Sequence, residues 1–284
     1  MRSRTYLNSR ALLALGSLAA LGCSAEIEPY SADAESGSTH ALVSIERSSA
    51  EDGTQRAQAI ATFVQLPAEA DARAVLESVG LKPALPALGQ CVTAGAAAPS
   101  YRGSVELIQA GEVRVSVAGT TTVLAPHAFP TVTDVVSGIV YTTRDQSAEP
   151  FPTASDYTLK VDGELGNLSV TRSAPNELSA VTVNGVPLRD AGDISAAAPM
   201  DLTWSVGAPG DLLWVEVGAA DGTSTLCSFR DEEGAATIAG GSFTAGAARI
   251  ALHRVRVAEF SAPGVALGEL RFDFELTASL RIVP

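Results

Sequence analysis

The sequence predicts an all-β fold of two β-sandwich domains, with one short helix in the first domain. Apolar residues recur at every second position in many short segments, which is the pattern of strands that bury one face. The chain of 284 residues also contains 25 Gly and 15 Pro, and only 18% of its residues are charged. This composition favours short elements joined by turns over long charged helices. Domains usually hold about 100 to 200 residues, so the length allows two.

The alternation is clearest in five segments. The longest lies at the carboxyl end, where the even-numbered residues from Leu270 to Ile282 are apolar and the odd-numbered ones are polar or charged. A helix could not bury that set on one face, because its side chains repeat every 3.6 residues. The other segments place these residues on shared faces: Val113, Val115 and Val117; Tyr157, Leu159 and Val161; Leu213, Val215 and Val217 with Thr225, Cys227 and Phe229.

Turn signals separate these strands. Asp162-Gly163, Asn184-Gly185 and Asp221-Gly222 are dipeptides whose residues accept the positive φ angles of tight hairpin turns. The third of them predicts a hairpin whose Cys227 points into a core. Pro187 lacks an N–H for a sheet ladder, so its strand is expected at an edge.

One segment predicts a helix. In the run from Pro67 to Leu81, proline stands where a first helical turn accepts it, and Ala74, Val75 and Val79 fall on one side. Few other segments show this period. Parallel sheets require a helix between successive strands, so the scarcity of helices favours antiparallel sandwiches.

A domain boundary is expected near Pro175. Residues 39–175 form a β-rich domain with the short helix, and residues 176–284 hold enough strands for a second sandwich of about 100 residues. In that second half, the segment DLTWS with Trp204 resembles the tryptophan-bearing strand of immunoglobulin-like and fibronectin-like modules. The resemblance implies that Trp204 anchors a core, where large aromatic rings dominate the packing.

The amino terminus has the parts of an export signal. Residues 1–22 begin with Arg2, Arg4 and Arg10 and continue in a short apolar run that is below the roughly 20 residues of a membrane span. The following sequence LAALGC resembles the lipobox of bacterial lipoproteins. The resemblance implies that Cys23 becomes the first residue and carries acyl chains, such as palmitate, on its sulfur and nitrogen. The alternative is a soluble secreted protein cut near an unmodified cysteine.

Lipid attachment implies a location in the cell envelope. Residues 23–38 are rich in Ser, Ala, Glu and Asp, so we expect a flexible acidic tether between the membrane and the fold. Ser24 rather than aspartate follows the lipobox cysteine, and by resemblance to enterobacterial sorting this favours the outer membrane. The net charge of −13 becomes more negative once three arginines leave with the signal, which excludes nucleic acid as a partner.

Cys91 and Cys227 are the two cysteines that remain beyond Cys23. The exported location is oxidising, so a disulfide between them is expected, and it would join the two halves of the chain. Two buried free thiols in separate cores are the alternative, because the sequence does not show that the sulfur atoms meet.

No motif for catalysis, a cofactor or a metal emerges from the remaining residues. His40, His127 and His253 stand too far apart for the short spacings of zinc ligands. The serine hydrolase elbow is absent. The densest acidic positions match no defined calcium loop and are expected in solvated turns: Asp231, Glu232 and Glu233, with Asp190 and Asp193.

These observations favour a noncatalytic envelope lipoprotein that binds a partner or contributes structure. It resembles the uncharacterised β-sandwich lipoproteins of Gram-negative bacteria, and the resemblance leaves an envelope protein or a glycan as the partner. The alternative is a secreted carbohydrate-active or other hydrolase that uses carboxylates on loops. Trp214, Tyr101 and Tyr141 are the aromatic residues whose exposure would indicate a binding surface.

Overall fold

A computed structural model describes residues 37–284, apart from residues 51–52, 68, 95–102, 104, 133–135, 145–150 and 164. The described residues belong to one compact unit, Ser36–Pro284. The predicted signal, Cys23 and nearly all of the tether lie outside the described residues and stay predictions. None of the helices in the described part of the chain is long and apolar enough to cross a bilayer.

The structure is an all-β fold with one α-helix, as the sequence predicts, among the residues that it describes. Two short 3-10 turns, Leu188–Asp190 and Asp231–Glu233, interrupt the strands. In chain order the elements are β1 (Ser38–Ala50), β2 (Gln55–Leu66), α1 (Ala72–Ser78), β3 (Cys91–Ala94), β4 (Val105–Leu107), β5 (Glu112–Val117), β6 (Thr120–Val132), β7 (Val136–Thr142), β8 (Asp156–Gly163), β9 (Gly166–Ser173), β10 (Thr182–Val183), β11 (Val186–Pro187), β12 (Asp193–Ser195), β13 (Met200–Thr203), β14 (Leu212–Ala219), β15 (Ser224–Arg230), β16 (Ala235–Ile238), β17 (Gly246–Ala262) and β18 (Val265–Val283).

The strands form a large sheet and a small one. The large sheet has the order β3-β15-β14-β17-β18-β1-β2-β4-β7-β6-β5-β8-β9, and β12 also pairs with β18. The small sheet has the order β11-β10-β13-β16. The hairpin of β17 and β18, with strands of 17 and 19 residues, is the longest feature of the large sheet. Strand β1 lies beside it and pairs with β18 in parallel.

The first core lies between two layers of the large sheet. One layer consists of β1, β2 and the tip of the β17–β18 hairpin, and the other consists of β5, β8 and β9. The ring of Tyr157 meets the ring of Phe272 edge to face, with centroids 5.2 Å apart, so the two layers interlock through aromatic side chains. The arrangement is a β-sandwich, as the fold-class prediction has it, and residues 260–274 contribute to it together with residues from 39–175.

The second core lies between the large sheet and the small sheet. Strands β14, β15, β17 and β18 form one layer, and β10, β13 and β16 form the other. Trp204 is buried in this core, and its indole Nε1 donates a hydrogen bond of 2.9 Å to the carbonyl of Asp231. The prediction that Trp204 anchors a core is confirmed. A buried indole requires such an acceptor for its N–H.

Strand β18 serves both cores. Phe272 and its even-numbered neighbours contribute to the first core, and Leu280 and its even-numbered neighbours contribute to the second. The alternation from Leu270 to Ile282 is therefore confirmed, with one face of a single strand lying over two cores. Elsewhere, core membership changes between Ala174 and Leu178, but the described residues form one compact unit, so the domain boundary near Pro175 stays a prediction. The β17–β18 hairpin contributes side chains to both cores.

The helix is shorter than the predicted segment from Pro67 to Leu81. It begins after Asp71, whose carboxylate accepts a 3.2 Å hydrogen bond from the backbone N–H of Ala74. That N-cap satisfies a backbone donor of the first turn, so the helix starts at the cap and not at the proline. Val75 and Leu76 are buried, whereas Ala74 is exposed, so the prediction of Ala74 on the packed face is wrong.

Two of the three turn predictions are confirmed by the hairpins. The prediction for Asp162-Gly163 is wrong, because both residues lie in β8 and pair with Asn167 and Gly166 of β9, so the turn comes after them. Asn184 and Gly185 have φ angles of 51° and 78° and connect β10 to β11 in a two-residue turn. Gly222 has a φ of 86° in the turn between β14 and β15. Pro187 lies in β11, at an edge of the small sheet. Each turn residue adopts a conformation that larger side chains resist.

Candidate functional site

The candidate site lies on the face of the large sheet that points away from the two sandwich cores, where α1 packs over a third and smaller apolar cluster that includes Val64 and Leu107. Side chains alternate between the two faces of a strand, so the residues between the core residues of β1, β2, β17 and β18 all point to this outer face. The register aligns them in rows across the strands. Leu42 pairs with Glu269 on one side and with Thr62 on the other, and Thr62 pairs with Val140.

A groove of about 450 Å³ crosses this outer face. Outward side chains of β18, β1, β2 and β7 form its floor, and the loop after α1 forms one wall. The backbone N–H groups of Leu81 and Lys82 both donate to the carbonyl of Leu76, at 2.9 and 3.1 Å, which fixes this wall to the helix. Its lining is mixed: apolar Leu42, Ile60, Leu81, Pro83 and Val140 with polar Ser44, Glu46, Thr62, Lys82, Glu269 and Arg271.

The charged groups of the groove are paired with each other. The ammonium of Lys82 donates to the carboxylate of Glu269, which joins the loop wall to the sheet floor. Glu46 accepts hydrogen bonds from the hydroxyl of Ser44, at 2.9 Å, and from the amide of Gln58. These carboxylates are therefore held in fixed positions by neighbouring donors.

Arg271 lies at the inner end of the groove with one donor unused. Its Nη2 contacts the carboxylate of Asp273 at 3.0 Å and lies 4.0 Å from the carboxylate of Glu46. Its Nε is buried and has no hydrogen-bond partner among the residues that the structure describes. A buried N–H without an acceptor is destabilising by about 1 to 3 kcal/mol, so a native site usually provides a water or a ligand for it.

Beyond Arg271 the polar residues continue to an aromatic pair. Nδ1 of His253 lies 2.8 Å from the carboxylate of Asp273, and the ring of His253 stacks on Trp214 with centroids 4.0 Å apart. Nε1 of Trp214 and the hydroxyl of Ser228, opposite it on β15, are also buried, and neither has a partner in the described part of the chain. We call the groove together with Arg271, Asp273, His253 and Trp214 the outer-face track.

His40 lies on the same face of β1 and is 8% exposed. Its Nε2 is 2.9 Å from the hydroxyl of Ser38. Burial lowers the pKa of His40 below the usual 6.5, and the nearby charge of Lys82 lowers this pKa further. The imidazole is therefore held neutral at the side of the groove.

The hydroxyl of Ser228 does not reach His253, the histidine of the track. Ser228 and His253 lie on strands separated by β14, and two strand spacings amount to about 10 Å. Trp214 occupies the position between them. Glu269 of β18 pairs with Leu42 of β1, and Glu46 lies four residues further along β1. The two glutamates are therefore about 13 Å apart along the strand direction. The carboxylates that stand directly opposite each other are Glu46 and Asp273, with Arg271 beside both.

The two remaining cysteines form a disulfide. The sulfur atoms of Cys91 and Cys227 are 2.03 Å apart, which confirms the predicted bond and excludes the alternative of two free thiols. The bond joins β3 to β15 at directly opposite positions, so it fixes the four-residue edge strand to the large sheet. Cys227 points into the second core, as the hairpin pattern predicts.

The other residues that the sequence singles out have different environments. Trp214 is half-buried on the track, Tyr141 is buried in the first core, and Tyr101 lies outside the described residues. Asp231 is fully buried in an ion pair with Arg254, so the expectation of a solvated turn is wrong for this residue. The other acidic positions of that expectation are exposed: Asp190, Asp193, Glu232 and Glu233.

The residues of the groove were not identified from the sequence. They are the outward half of the same period-two pattern that predicts the strands, and such positions look like ordinary solvated faces. The sequence contained one signal for the groove: Lys82 is one of only two lysines in the chain, and it lies four residues after the end of α1. The convergence of α1 with β18 depends on contacts between residues far apart in sequence.

Comparisons with known proteins find no family. No protein-family model matches the chain, and no curated protein sequence matches it. Among solved structures, one similar chain is the Mu homology domain of Fcho1 from Danio rerio with a bound Eps15 peptide, at 10% identity and a TM-score of 0.26, covering 86% of this chain and 96% of that one. Another is a pair of tandem immunoglobulin domains of titin, at 10% identity and a TM-score of 0.18, covering 85% and 98%. Neither likeness bears on function.

Proposed function

We propose that this protein is a noncatalytic envelope lipoprotein, anchored to a membrane by acyl chains on Cys23, that binds a partner in the outer-face track. The observation that carries the proposal is the open groove of about 450 Å³, whose mixed lining includes the guanidinium of Arg271. A partner that places a hydrogen-bond acceptor beside the exposed part of the Arg271 side chain would gain a charge-assisted hydrogen bond, and the apolar part of the floor would add buried area.

The disulfide supports the export part of this proposal. Disulfides form and persist in oxidising compartments and are rare in the cytosol, and both cysteines beyond the lipobox are used in one bond. Attachment through Cys23 would keep the groove close to other envelope components. Two or more acyl chains hold a protein stably at a membrane, because each buried methylene contributes about 0.8 kcal/mol.

Substitution of the groove tests the binding part. We expect Arg271→Met, in the full chain extracted from membranes, to lower the amount of co-purified partner about tenfold, because a charge-assisted hydrogen bond is lost. Ser44→Phe is a second test, since it narrows the groove and leaves Arg271 in place. The matched control is Arg249→Met on β17, whose side chain is 63% exposed and lies outside the groove lining. Unchanged partner recovery with both groove variants contradicts the proposal.

The anchor has its own experiment. Cys23→Ser should release the protein from the membrane fraction and leave an unacylated mass. The fold of residues 37–284 should stay intact, because this substitution lies outside it. Sedimentation of Cys23→Ser with membranes, processed at the same bond, would show that lipid on this cysteine is not the anchor.

One observation favours hydrolysis as a second candidate function. Glu46 and Asp273 stand opposite each other on adjacent strands, and glycoside hydrolases use two such carboxylates. Against this, Arg271 contacts both groups, and Asp273 is also engaged by His253. Incubation of the protein with a panel of soluble polysaccharides decides between the functions. Release of reducing ends that is lost in Glu46→Gln would replace the noncatalytic proposal, and binding without release supports it.

A further inference from the structure

A second cavity opens at one end of the second sandwich, away from the groove. Its volume is about 200 Å³, and it lies between the ends of β3, β14, β15, β17 and β18 and the loop that follows β16. We call it the hydroxyl pocket, because most of its polar lining consists of hydroxyl side chains. Its lining is Thr93, Val217, Ala219, Thr223, Ser224, Thr225, Gly241, Ser242, Phe243, Thr244, Ala248 and Ile282.

None of these lining residues carries an ionisable side chain. A charged ligand would therefore lose hydration without gaining an opposite charge, which is costly. Hydroxyl groups both donate and accept hydrogen bonds, so the lining matches a neutral ligand that has many hydroxyls of its own.

Some of these hydroxyls are occupied and others are free. Thr225 donates to the carbonyl of Ser242 at 2.5 Å, and Thr223 bonds to Thr244 at 3.3 Å, so the loop after β16 is held against the sheet. Within the described part of the chain, no hydrogen bond uses the side-chain hydroxyl of Thr93 or Ser242. Those two groups remain available to a ligand.

The pocket also has an apolar side. The ring of Phe243 packs partly against the second core, and Val217 and Ile282 belong to that core. A sugar ring has apolar C–H faces as well as hydroxyl edges, so it requires both kinds of surface. The disulfide at Cys91 holds the strand that carries Thr93, so the rim is positioned before any ligand binds.

We propose that the hydroxyl pocket binds one neutral sugar ring, either as a free monosaccharide or as the end unit of a glycan. The volume of about 200 Å³ is less than half that of the groove, so the pocket encloses a small group such as a single ring and not a longer chain. This site is separate from the outer-face track and does not depend on the function proposed for it.

Titration of the full chain with defined sugars tests the site. The probes are glucose, galactose, mannose and N-acetylglucosamine, and glucuronate is the charged analogue of glucose. Binding is measured by saturation-transfer NMR, with the protein in a detergent that has no sugar head group. We expect at least one neutral sugar to bind, and we expect glucuronate to bind about tenfold more weakly than glucose. No binding by any neutral sugar, or equal binding of glucuronate, overturns the proposal.

Substitutions locate the binding. Thr93→Val removes a hydroxyl without changing the side-chain shape, and Phe243→Ala removes the ring, so each should weaken sugar binding about fivefold or more. Thr121→Val is the matched control, because Thr121 is an exposed threonine on β6, outside the pocket lining. Arg271→Met should also leave sugar binding unchanged, which separates this site from the groove. Unchanged binding with both pocket variants overturns the assignment.

The source of the ring is decided by chain length. If maltotetraose binds at least as tightly as glucose, the pocket accepts the end of a glycan, and the rest of the glycan extends outside it. If glucose binds and maltotetraose does not, the ligand is a free monosaccharide. Both results support a site for one neutral ring, and failure of both glucose and maltotetraose together with the other sugars contradicts it.

Discussion

Arg254 and Asp231 form a buried ion pair at the point where the two cores meet. Nε of Arg254 donates to the carboxylate at 2.7 Å and Nη2 donates to its other oxygen at 3.1 Å. The same guanidinium donates to the carbonyls of Ser205 and Glu177. Burial raises the pKa of Asp231, and the hydrogen bond from Arg254 opposes that shift. Arg254 therefore joins β17 to the 3-10 turn at Asp231, to the chain before β10 and to the chain after β13.

Removal of this arginine should be strongly destabilising. Arg254→Met leaves the carboxylate of Asp231 buried without its partner, and breaking a buried pair from one side costs about 3 to 5 kcal/mol of unfolding free energy. Urea unfolding measures the loss. The control is Arg249→Met, because Arg249 pairs with Glu275 on the surface, where such pairs contribute about 0 to 1 kcal/mol. Equal losses of unfolding free energy in the two variants would show that the buried pair stabilises the fold no more than the surface pair does.

Loss of the disulfide should also destabilise the fold. The two cysteines are 136 residues apart, and in the chain-entropy model a bond that closes such a loop raises the unfolding free energy by about 5 kcal/mol. We expect the double variant Cys91→Ala, Cys227→Ala to lower the midpoint of urea unfolding.

A reducing agent should lower the same midpoint for the native chain and have no effect on the double variant. Intact mass provides an independent measurement, since the bonded form is lighter by two hydrogen atoms. A native chain whose unfolding is insensitive to the reducing agent, although its disulfide is reduced, contradicts this stabilising role.

The local patterns predicted much of the fold, because each depends on a few neighbouring residues. The alternation through Phe272, the turn at Asn184-Gly185 and the core position of Trp204 are all confirmed. In each case the physical cause is local: a strand shows alternate faces, a tight turn requires positive φ, and a large ring seeks burial.

The long-range relationships were beyond these patterns. The sequence does not show that β1 lies parallel to β18 or that one strand crosses two cores. Asp231 looked like part of a solvated acidic turn, since the arginine that neutralises it is 23 residues away. The groove could not be predicted either, because it requires knowledge of long-range contacts. Its floor and wall come from four strands and a loop that meet only in the folded chain.

Acidification should destabilise the protein through His40. Its pKa in the folded chain is lowered below 6.5, so the unfolded chain binds a proton more readily. The stability from the neutral imidazole is therefore complete above the unfolded pKa of about 6.5, and it is lost as the pH falls from there through the lower pKa of the folded chain. His40→Gln should reduce the dependence of unfolding free energy on pH between about 5.5 and 7.5. Identical pH profiles for the variant and the native chain would rule out this contribution.

Gly138 should not tolerate a side chain. Its φ is +126°, and a Cβ atom there would lie 1.9 Å from the backbone oxygen of Leu107 on the neighbouring strand β4. Gly138→Ala must therefore separate β4 from β7 or change the backbone, and either change disturbs the strands under α1. We expect a loss of more than about 1 kcal/mol in unfolding free energy, measured by urea unfolding, because both steric overlap and an unfavourable φ contribute.

The matched control for Gly138 is Gly218 on β14. A Cβ atom at Gly218 meets nothing within 4 Å. Its φ lies outside the positive range, so alanine fits the native backbone there. Gly218→Ala should be neutral or stabilising by about 0.4 to 1 kcal/mol, because it reduces the entropy of the unfolded chain. If both substitutions have the same effect, the close approach of β4 to β7 does not require glycine.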